Sequence, residues 1–358
     1  MVVSPKEVYH TLRQFQSLAE VERESFGYTS LSIPERAWYW RRGFLSRASV
    51  LYDFETHGHE DYLTDYQRYV RTRGINGRFG YALDNKLMLY GLLSEFSDRL
   101  PELHGIVSDG TFRSISLDGK RGPTRPAIEW AEDLDADETV VVKWVIGGGG
   151  HSVLLLTRTG EGYRVNGERV PRDDLCERFE KMDDYIVTGF SQQSEYADAI
   201  YPEATNTVRA VTMWDSERDE PFLARAIHRI GTDETKPMDN WSQGGLGALI
   251  DPETGELGEA VSYPENGERT WRTDHPDTGA RIEGVEIPGW EAVREGLLEV
   301  ADSVPYLPYV GWDLVVTGTG EFEIIEANNY PGVKSLQVHG PLCADERVER
   351  FYREHGVR

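Results

Sequence analysis

Lysine is scarce in this 358-residue chain. Of its 38 basic residues only seven are lysines (Lys6, Lys86, Lys120, Lys143, Lys181, Lys236 and Lys334), the rest being arginine, and all of them face 62 acids for a formal net charge of −24. Sequence-independent affinity for nucleic acid comes from neutralising phosphates with basic groups, so nucleic acid is excluded as a partner, and so is an anionic lipid surface. Cysteine is nearly absent as well. Cys176 and Cys343 cannot build a disulfide framework and stand in no metal-type spacing, so they read as inert thiols of a reducing compartment. No apolar run approaches the length of a membrane span, and MVVSPKEVYHTLRQFQ has no apolar core of secretory-leader length. The expected location is cytoplasmic. Acid spread along the whole chain, rather than gathered in a tail, suits a halophilic cytoplasm, where salt screens the self-repulsion.

What is present is a folded protein. A hydrophobic fraction of 39%, with 18 Tyr and 9 Trp, supplies a core, and 358 residues allow two or three lobes. Residues 5 to 73 carry Arg, Glu and aromatics at helical spacing with few β-branched residues, which predicts a helical N-terminal region over residues 1–80. KLMLYGLLSEFSDRL follows as an amphipathic helix that Asp84 is placed to cap, and HGIVSDGTF reads as a strand. TVVVKWVI, a Gly-rich turn and HSVLLLTRT then form a hairpin, RDDLCERFEKM a helix and DYIVTGF a strand. A strand-rich half begins at TVRAVTMWD, with PGWEAVREGLLEVADSV as its late helix. Two successive mixed blocks predict α+β lobes, a smaller one over 81–189 and a larger one over 190–358.

Three segments carry chemistry. Gly311-Trp312-Asp313 and Glu326-Ala327-Asn328 flank LVVTGTGEFEII, a strand, turn and strand that would bring Asp313, Glu326 and Asn328 to one end of a sheet. Glu326 and Asn328, two apart on a strand, share a face, and such hard oxygen donors suit Mg²⁺; an acidic surface hairpin is the plain alternative. The second segment is Val140 to Val153, in which an apolar strand holds Lys143 and runs into Gly147, Gly148, Gly149 and Gly150. Glycines there let backbone N–H groups approach phosphate oxygens, and the lysine adds a compact charge. It is neither a Walker pattern nor G-x-G-x-x-G. Third, Asn240-Trp241-Ser242-Gln243-Gly244-Gly245 is either a loop beside a transferred group or a plain connection. His275, in HPDTG, reads as a turn residue, and His151 is open between a phosphate cover and a role-free loop position.

Together with Asp84-Asn85-Lys86, NTVRAVT (206–212), Arg229-Ile230-Gly231 and Ile287-Pro288-Gly289-Trp290, these segments resemble the ATP-grasp superfamily from roughly residue 84 to 333. The resemblance is closest to its sugar-transfer-associated branch, related to α-L-glutamate ligases. It implies two α+β lobes clasping ATP, with Lys86 and Lys143 on the phosphates and Gly147 to Gly150 covering them. Ile186, Val187 and Thr188 match the interlobe strand whose backbone reads adenine, and Glu195 matches the acid that holds the ribose. Asp313, Glu326 and Asn328 match the ligands of two Mg²⁺ ions, with Mn²⁺ as a substitute. Arg209 and Asn240 match positions facing the γ-phosphate and acceptor, and Arg229 is placed to help them orient an anionic donor, though the two arginines also read as surface ion-pair residues.

Some positions depart from the pattern. Thr188 replaces the usual Glu or Gln, Trp144 the common Pro, and Asn85 interrupts the Asp-Lys pair. The implied reaction joins a small-molecule carboxylate to an amine through an acyl phosphate. A phosphotransferase acting on a sugar or polyol hydroxyl and a catalytically silent nucleotide-binding protein remain the alternatives. A homodimer is left open.

Overall fold

The structure is a computed structural model that describes residues 5–116, 121–147, 152–264 and 267–358. Among the described residues, fifteen strands form two wholly antiparallel sheets. The first contains β1 (Leu103–Ser108), β2 (Thr111–Ile115), β3 (Arg121–Pro126), β4 (Thr139–Trp144), β5 (Leu154–Thr159), β6 (Gly162–Val165), β7 (Glu168–Val170) and β8 (Tyr185–Gly189). Their order is β3-β2-β1-β8-β4-β5-β6-β7. The second contains β9 (Thr207–Asp215), β10 (Glu220–Ile230), β11 (Leu246–Ile250), β12 (Leu257–Ser262), β13 (Trp271–Arg272), β14 (Tyr309–Gly318) and β15 (Glu321–Asn328). Its order is β13-β12-β11-β10-β9-β14-β15. The architecture is α+β.

Both sheets grow from local pattern. HGIVSDGTF is two strands rather than one, because Asp109 and Gly110 take positive φ and turn β1 into β2. β14, YVGWDLVVTG, is buried over its first eight residues, as a strand covered on both faces must be. One face packs on the amphipathic helix Trp290–Asp302 through Val293, Leu297 and Val300, and the other on the C-terminal helix Glu346–Glu354 through Phe351 and Tyr352. The first sheet has its own core, in which Val140, Val142 and Val187 meet the helices Ala127–Glu132 and Arg172–Glu180.

Asn85, not Asp84, caps the helix after the N-terminal region. Its side chain accepts from Met88 N at 3.0 Å, and the helix stops at Leu92 before a 3-10 turn over Ser94–Arg99. Asn85 also bridges Ile146, and Lys86 N donates to Val145 O at 2.9 Å, so the start of this helix is pinned to the end of β4.

Helical segments run from Pro5–Tyr28 through Ile33–Trp40 to short turns before residue 85. They dock on the second sheet rather than standing apart. Phe44, Leu51, Tyr52 and Tyr62 pack with Trp241, Val261 and Val338. Two buried carboxamides fasten the contact. Asn76 exchanges hydrogen bonds with the backbone of Tyr309 at 2.6 and 3.1 Å, and Gln337 does the same with Leu63 at 2.7 and 3.0 Å. No described helix is long and apolar enough to cross a membrane.

Candidate active site

Sheet register builds the site. Arg209 on β9 lies directly opposite Asp313 on β14, which lies opposite Glu326 on β15, so three candidate side chains form one row across three strands. Such cross-strand neighbours have Cβ atoms about 5 Å apart. The next row on β9 and β10 pairs Thr207 with Arg229. Asn328, two residues beyond Glu326, shares its face.

β15 carries a bulge at Ile325, because Asp313 pairs with Glu326 while Leu314 pairs with Ile324. The bulge presents two consecutive residues, Ile325 and Glu326, to the same cleft. The Ile325 carbonyl accepts from Lys143 Nζ at 3.0 Å, across from the first sheet. Lys86 Nζ reaches Gly147 O at 2.6 Å and Glu326 Oε1 at 3.3 Å. The two lysines thus come together between the sheets, held by one backbone carbonyl each and by Glu326. Gly147 has φ +146°, and a Cβ there would lie 2.9 Å from the Trp144 ring, so glycine is required.

These residues line a cleft of about 250 Å³. Its polar lining includes Lys86, Lys143, Arg209, Arg229, Asp239, Asp313, Glu326, Asn328 and Asn240. Its apolar lining includes Val141, Leu155, Phe190 and Met238. A flat heteroaromatic ring suits the apolar side chains and a polyanion the cationic ones.

Asp313 is almost wholly buried and accepts from Arg209 through both carboxylate oxygens, with Arg229 Nη2 3.5 Å away. Burial pushes its carboxyl up, and Arg209 and Arg229 outweigh that and hold it below the usual carboxylate range. Lys143 is shifted downward, to about 8. Burial is the main cause, Lys86 adds to it, and Glu326 and Asp313 oppose it. Arg229 is anchored in turn, with Nε and Nη2 donating to Thr207 Oγ1 at 2.9 and 2.6 Å and Asp239 3.4 Å from Nε.

Gly148, Gly149, Gly150 and His151 lie outside the described residues. Ile186 and Val187 cannot offer free backbone to a base, because β8 is a central strand and both residues pair with β1 on one side and β4 on the other. Their side chains are fully buried in core. Thr188 and Gly189, at the end of the strand, do line the cleft, and so do Phe190 and Ser191 just beyond it, where the ladder has ended. Ser191 is buried and its Oγ has no hydrogen-bond partner, which marks a polar group waiting for a ligand. Glu195, the first residue of the helix Glu195–Ile200, is exposed and is not among the cleft's lining residues. His275 is a buried turn residue, with Nε2 on the Gly231 carbonyl at 2.8 Å and Nδ1 accepting from the backbone of Asp277 and Thr278. Sequence reasoning missed Ser191, Thr207 and Asp239. The only signal for the last two is that they flank Arg209 and Asn240 in chain.

The residues present fit a divalent cation of the hard type. Asp313 and Glu326 offer carboxylate oxygens and Asn328 an amide oxygen on one sheet face, which is a magnesium-like donor set. Among the described residues no group of three His, Cys, Asp or Glu gathers, so phosphate and water would have to complete the shell.

A family model described as sugar-transfer associated ATP-grasp matches residues 67–351. No curated protein matches the chain. Among solved structures, the D-Ala:D-Ser ligase VanG from Enterococcus faecalis is similar at 14% identity and TM-score 0.39, with 80% of this chain and 70% of that one covered. The D-alanine-D-alanine ligase from Coxiella burnetii is similar at 12% identity and TM-score 0.36, with 77% and 59% covered. An N5-carboxyaminoimidazole ribonucleotide synthetase in complex with ADP follows at 13% identity and TM-score 0.36, covering 71% of this chain. The chain spans about half the length of that synthetase, 46% of it.

Proposed function

Since the chain belongs to the sugar-transfer-associated ATP-grasp family, we propose that it is an ATP-dependent ligase that joins a carboxylate to an amine through an acyl phosphate. One observation carries the reading. In a protein of net charge −24, Lys86, Lys143, Arg209 and Arg229 converge on one cleft with Asp313 and Glu326 between them. That is a place for a polyphosphate and for charge that moves during phosphoryl transfer.

In the proposed first step a carboxylate oxygen bonds to the γ-phosphorus while the bond from that phosphorus to the β,γ-bridging oxygen breaks, releasing ADP. The amine nitrogen then bonds to the acyl carbon, phosphate leaves with the C–O electron pair, and the amine proton passes to solvent. Lys86 and Lys143 hold the phosphates, Arg209 and Arg229 orient the transferred group and the attacking carboxylate, and Ser191 with the apolar side chains of the cleft receives the base. Asp313, Glu326 and Asn328 would hold Mg²⁺. When bound, Mg²⁺ would offset the charge spread over the transferring phosphoryl group.

Ligation is favoured over phosphorylation of a hydroxyl by the state of the cleft's carboxylates. Asp239, Asp313 and Glu326, the acids among its described lining residues, each contact a cation at 3.5 Å or less. A hydroxyl acceptor needs a free base, and a carboxylate is already ionised. A cytoplasmic setting rich in salt is the compartment we infer from the acidic surface.

The test is incubation with ATP, Mg²⁺ and pooled carboxylates and amines in concentrated KCl, read by mass spectrometry, followed by the active donor labelled with ¹⁸O in its carboxylate. Label in the released phosphate is the expected result. Phosphate retained on a product hydroxyl would mean that the protein is a kinase.

A further inference from the structure

A second cavity, of about 560 Å³, lies between the N-terminal helical region and the second sheet. Its wall includes Arg209, Arg229 and Asn240, the same three residues that line the nucleotide cleft, so the two spaces meet there. The remaining cations on the wall are Arg47, Arg68 and Lys334. Against these three stand Asp65 and Glu24, and Glu24 is exposed.

The balance of charge is unusual for this chain. Arg47 is 7% exposed; one Nη donates to Tyr263 Oη at 3.2 Å, and its Nε has no hydrogen-bond partner. Lys334 Nζ lies 4.0 Å from Asp65 Oδ1 and 3.5 Å from Tyr69 Oη. Asp65 is itself committed, its Oδ2 accepting from Leu45 N at 2.8 Å. Arg68 spends its Nε and Nη2 on the carbonyls of Pro331 and Tyr330, which fixes the guanidinium without neutralising it.

The titration of the neighbours agrees. Burial, with Arg47 and Arg68 adding to it, lowers the Lys334 ammonium. Burial raises the Tyr69 phenol, yet Lys334, Arg68 and Arg47 outweigh it and leave Tyr69 below its ordinary value. Like charges kept together out of water are costly unless an anion joins them. Tyr28, Tyr52, Tyr69, Trp241 and Tyr263 supply flat walls on which a ring can lie.

Resting on the ligase reading above, we propose that this second cavity is the site of the non-nucleotide substrate, a small ring-bearing organic anion. Its carboxylate or phosphate would sit among Arg47, Arg68 and Lys334, with its reacting end at the Arg209, Arg229 and Asn240 wall. The N-terminal helical region is then a substrate-recognition element, since it brings Arg47, Asp65, Arg68 and Tyr69.

The experiment is calorimetric titration of the full chain, with ADP present to occupy the cleft, using D-glucuronate, D-glucose 1-phosphate and neutral D-glucose as probes. We expect one anion to bind, D-glucose not to bind, and Lys334→Gln to weaken the anion at least tenfold while leaving ADP binding unchanged. The two anions separate a carboxylate-reading from a phosphate-reading pocket. Lys334→Gln relieves repulsion with Arg47 and Arg68, so its melting temperature should not fall, and Lys143→Gln, which alters only the nucleotide cleft, should leave the anion in place. Binding of neither anion, equal binding by Lys334→Gln, or equal binding of D-glucose overturns the proposal. Absence of ADP binding, by contrast, overturns the nucleotide reading and is seen in its own titration.

Discussion

Raising the pH should weaken nucleotide binding through one amine. Lys143 is buried at 8% exposure, with its Nζ on the Ile325 carbonyl at 3.0 Å, and burial brings its pKa from 10.5 down to about 8. Phosphate oxygens beside the amine favour its charged form, so the nucleotide complex should keep the proton across the neutral and mildly alkaline range. The free protein does not. With a pKa of about 8, the amine is roughly nine-tenths charged at pH 7 and roughly one-tenth charged at pH 9. Affinity should therefore fall about tenfold, or about 1.4 kcal/mol, between those pH values, with uptake rising from about 0.1 to about 0.9 proton per site.

Titrating ADP without divalent cations, in buffers of different ionisation enthalpy, measures both quantities. Lys143→Met should bind ADP weakly at pH 7 and lack this dependence. A flat affinity in the parent protein, or the same slope in Lys143→Met, would refute the assignment of Lys143 to the phosphates. The stability of the free protein has the opposite sign. A lysine whose folded pKa lies below its unfolded value binds its proton better when unfolded, so stability rises with pH from about 8 to 10.5. Below that window the burial cost, about 3 kcal/mol, is present in full.

Four further outcomes follow from particular contacts. Asp313→Asn should abolish product formation and also cost about 3 kcal/mol in a denaturant titration, because Arg209 and Arg229 lose a buried counter-charge; unchanged stability would contradict that pairing. Ser191→Ala removes a buried hydroxyl without a partner, so ADP affinity should drop while the free protein gains up to about 1 kcal/mol, and a loss of stability would show that the hydroxyl is already satisfied. Gly311→Ala would put a Cβ 2.4 Å from that of Pro331 and should destabilise by about 1–3 kcal/mol, a cost that a melting curve indistinguishable from the parent's would disprove. The melting temperature should climb between 0.1 and 2 M KCl as the Debye length shrinks from about 10 Å to about 3 Å or less, and a flat or falling curve rejects adaptation to salt.

What could be read from the chain was local. The hairpin from Gly311 to Asn328, the strand that holds Lys143 and the helix Trp290–Asp302 all follow from alternation, turn glycines and helical period, which are properties of neighbours in sequence. The row Arg209, Asp313, Glu326 needed the pairing of β9 with β14, strands a hundred residues apart, and no periodicity announces such a partner. The same limit hid Ser191, which matters because β8 ends just before it, and it hid the ladder bonds of Ile186 and Val187, which only the sheet order reveals. Asn85 was read as an interruption of a motif, and its short amide instead ends the orphan N–H of a helix. The second cavity was out of reach altogether, since Arg47 and Lys334 meet only after the N-terminal helices dock.

The hairpin that carries the carboxylates has a consequence for insertions and deletions. Gly318 pairs with Glu321 across the turn, Val316 with Phe322, Leu314 with Ile324 and Asp313 with Glu326, so each strand holds one supernumerary residue, Thr317 on β14 and Ile325 on β15. The two slips cancel. Asp313 and Glu326 stand opposite each other as they would in a hairpin with no bulge, although the stretch between is offset by one. Losing Thr317 alone would keep Asp313 opposite Glu326 only while Ile325 stays bulged; if the ladder closed over Ile325, Asp313 would face Ile325 and Glu326 would turn to the other face. Losing Thr317 and Ile325 together would restore the alignment of the carboxylates and remove only the carbonyl that holds Lys143. Paired loss, one residue from each strand, therefore keeps the carboxylates aligned in a regular ladder, whereas a single loss makes their alignment depend on the one remaining bulge.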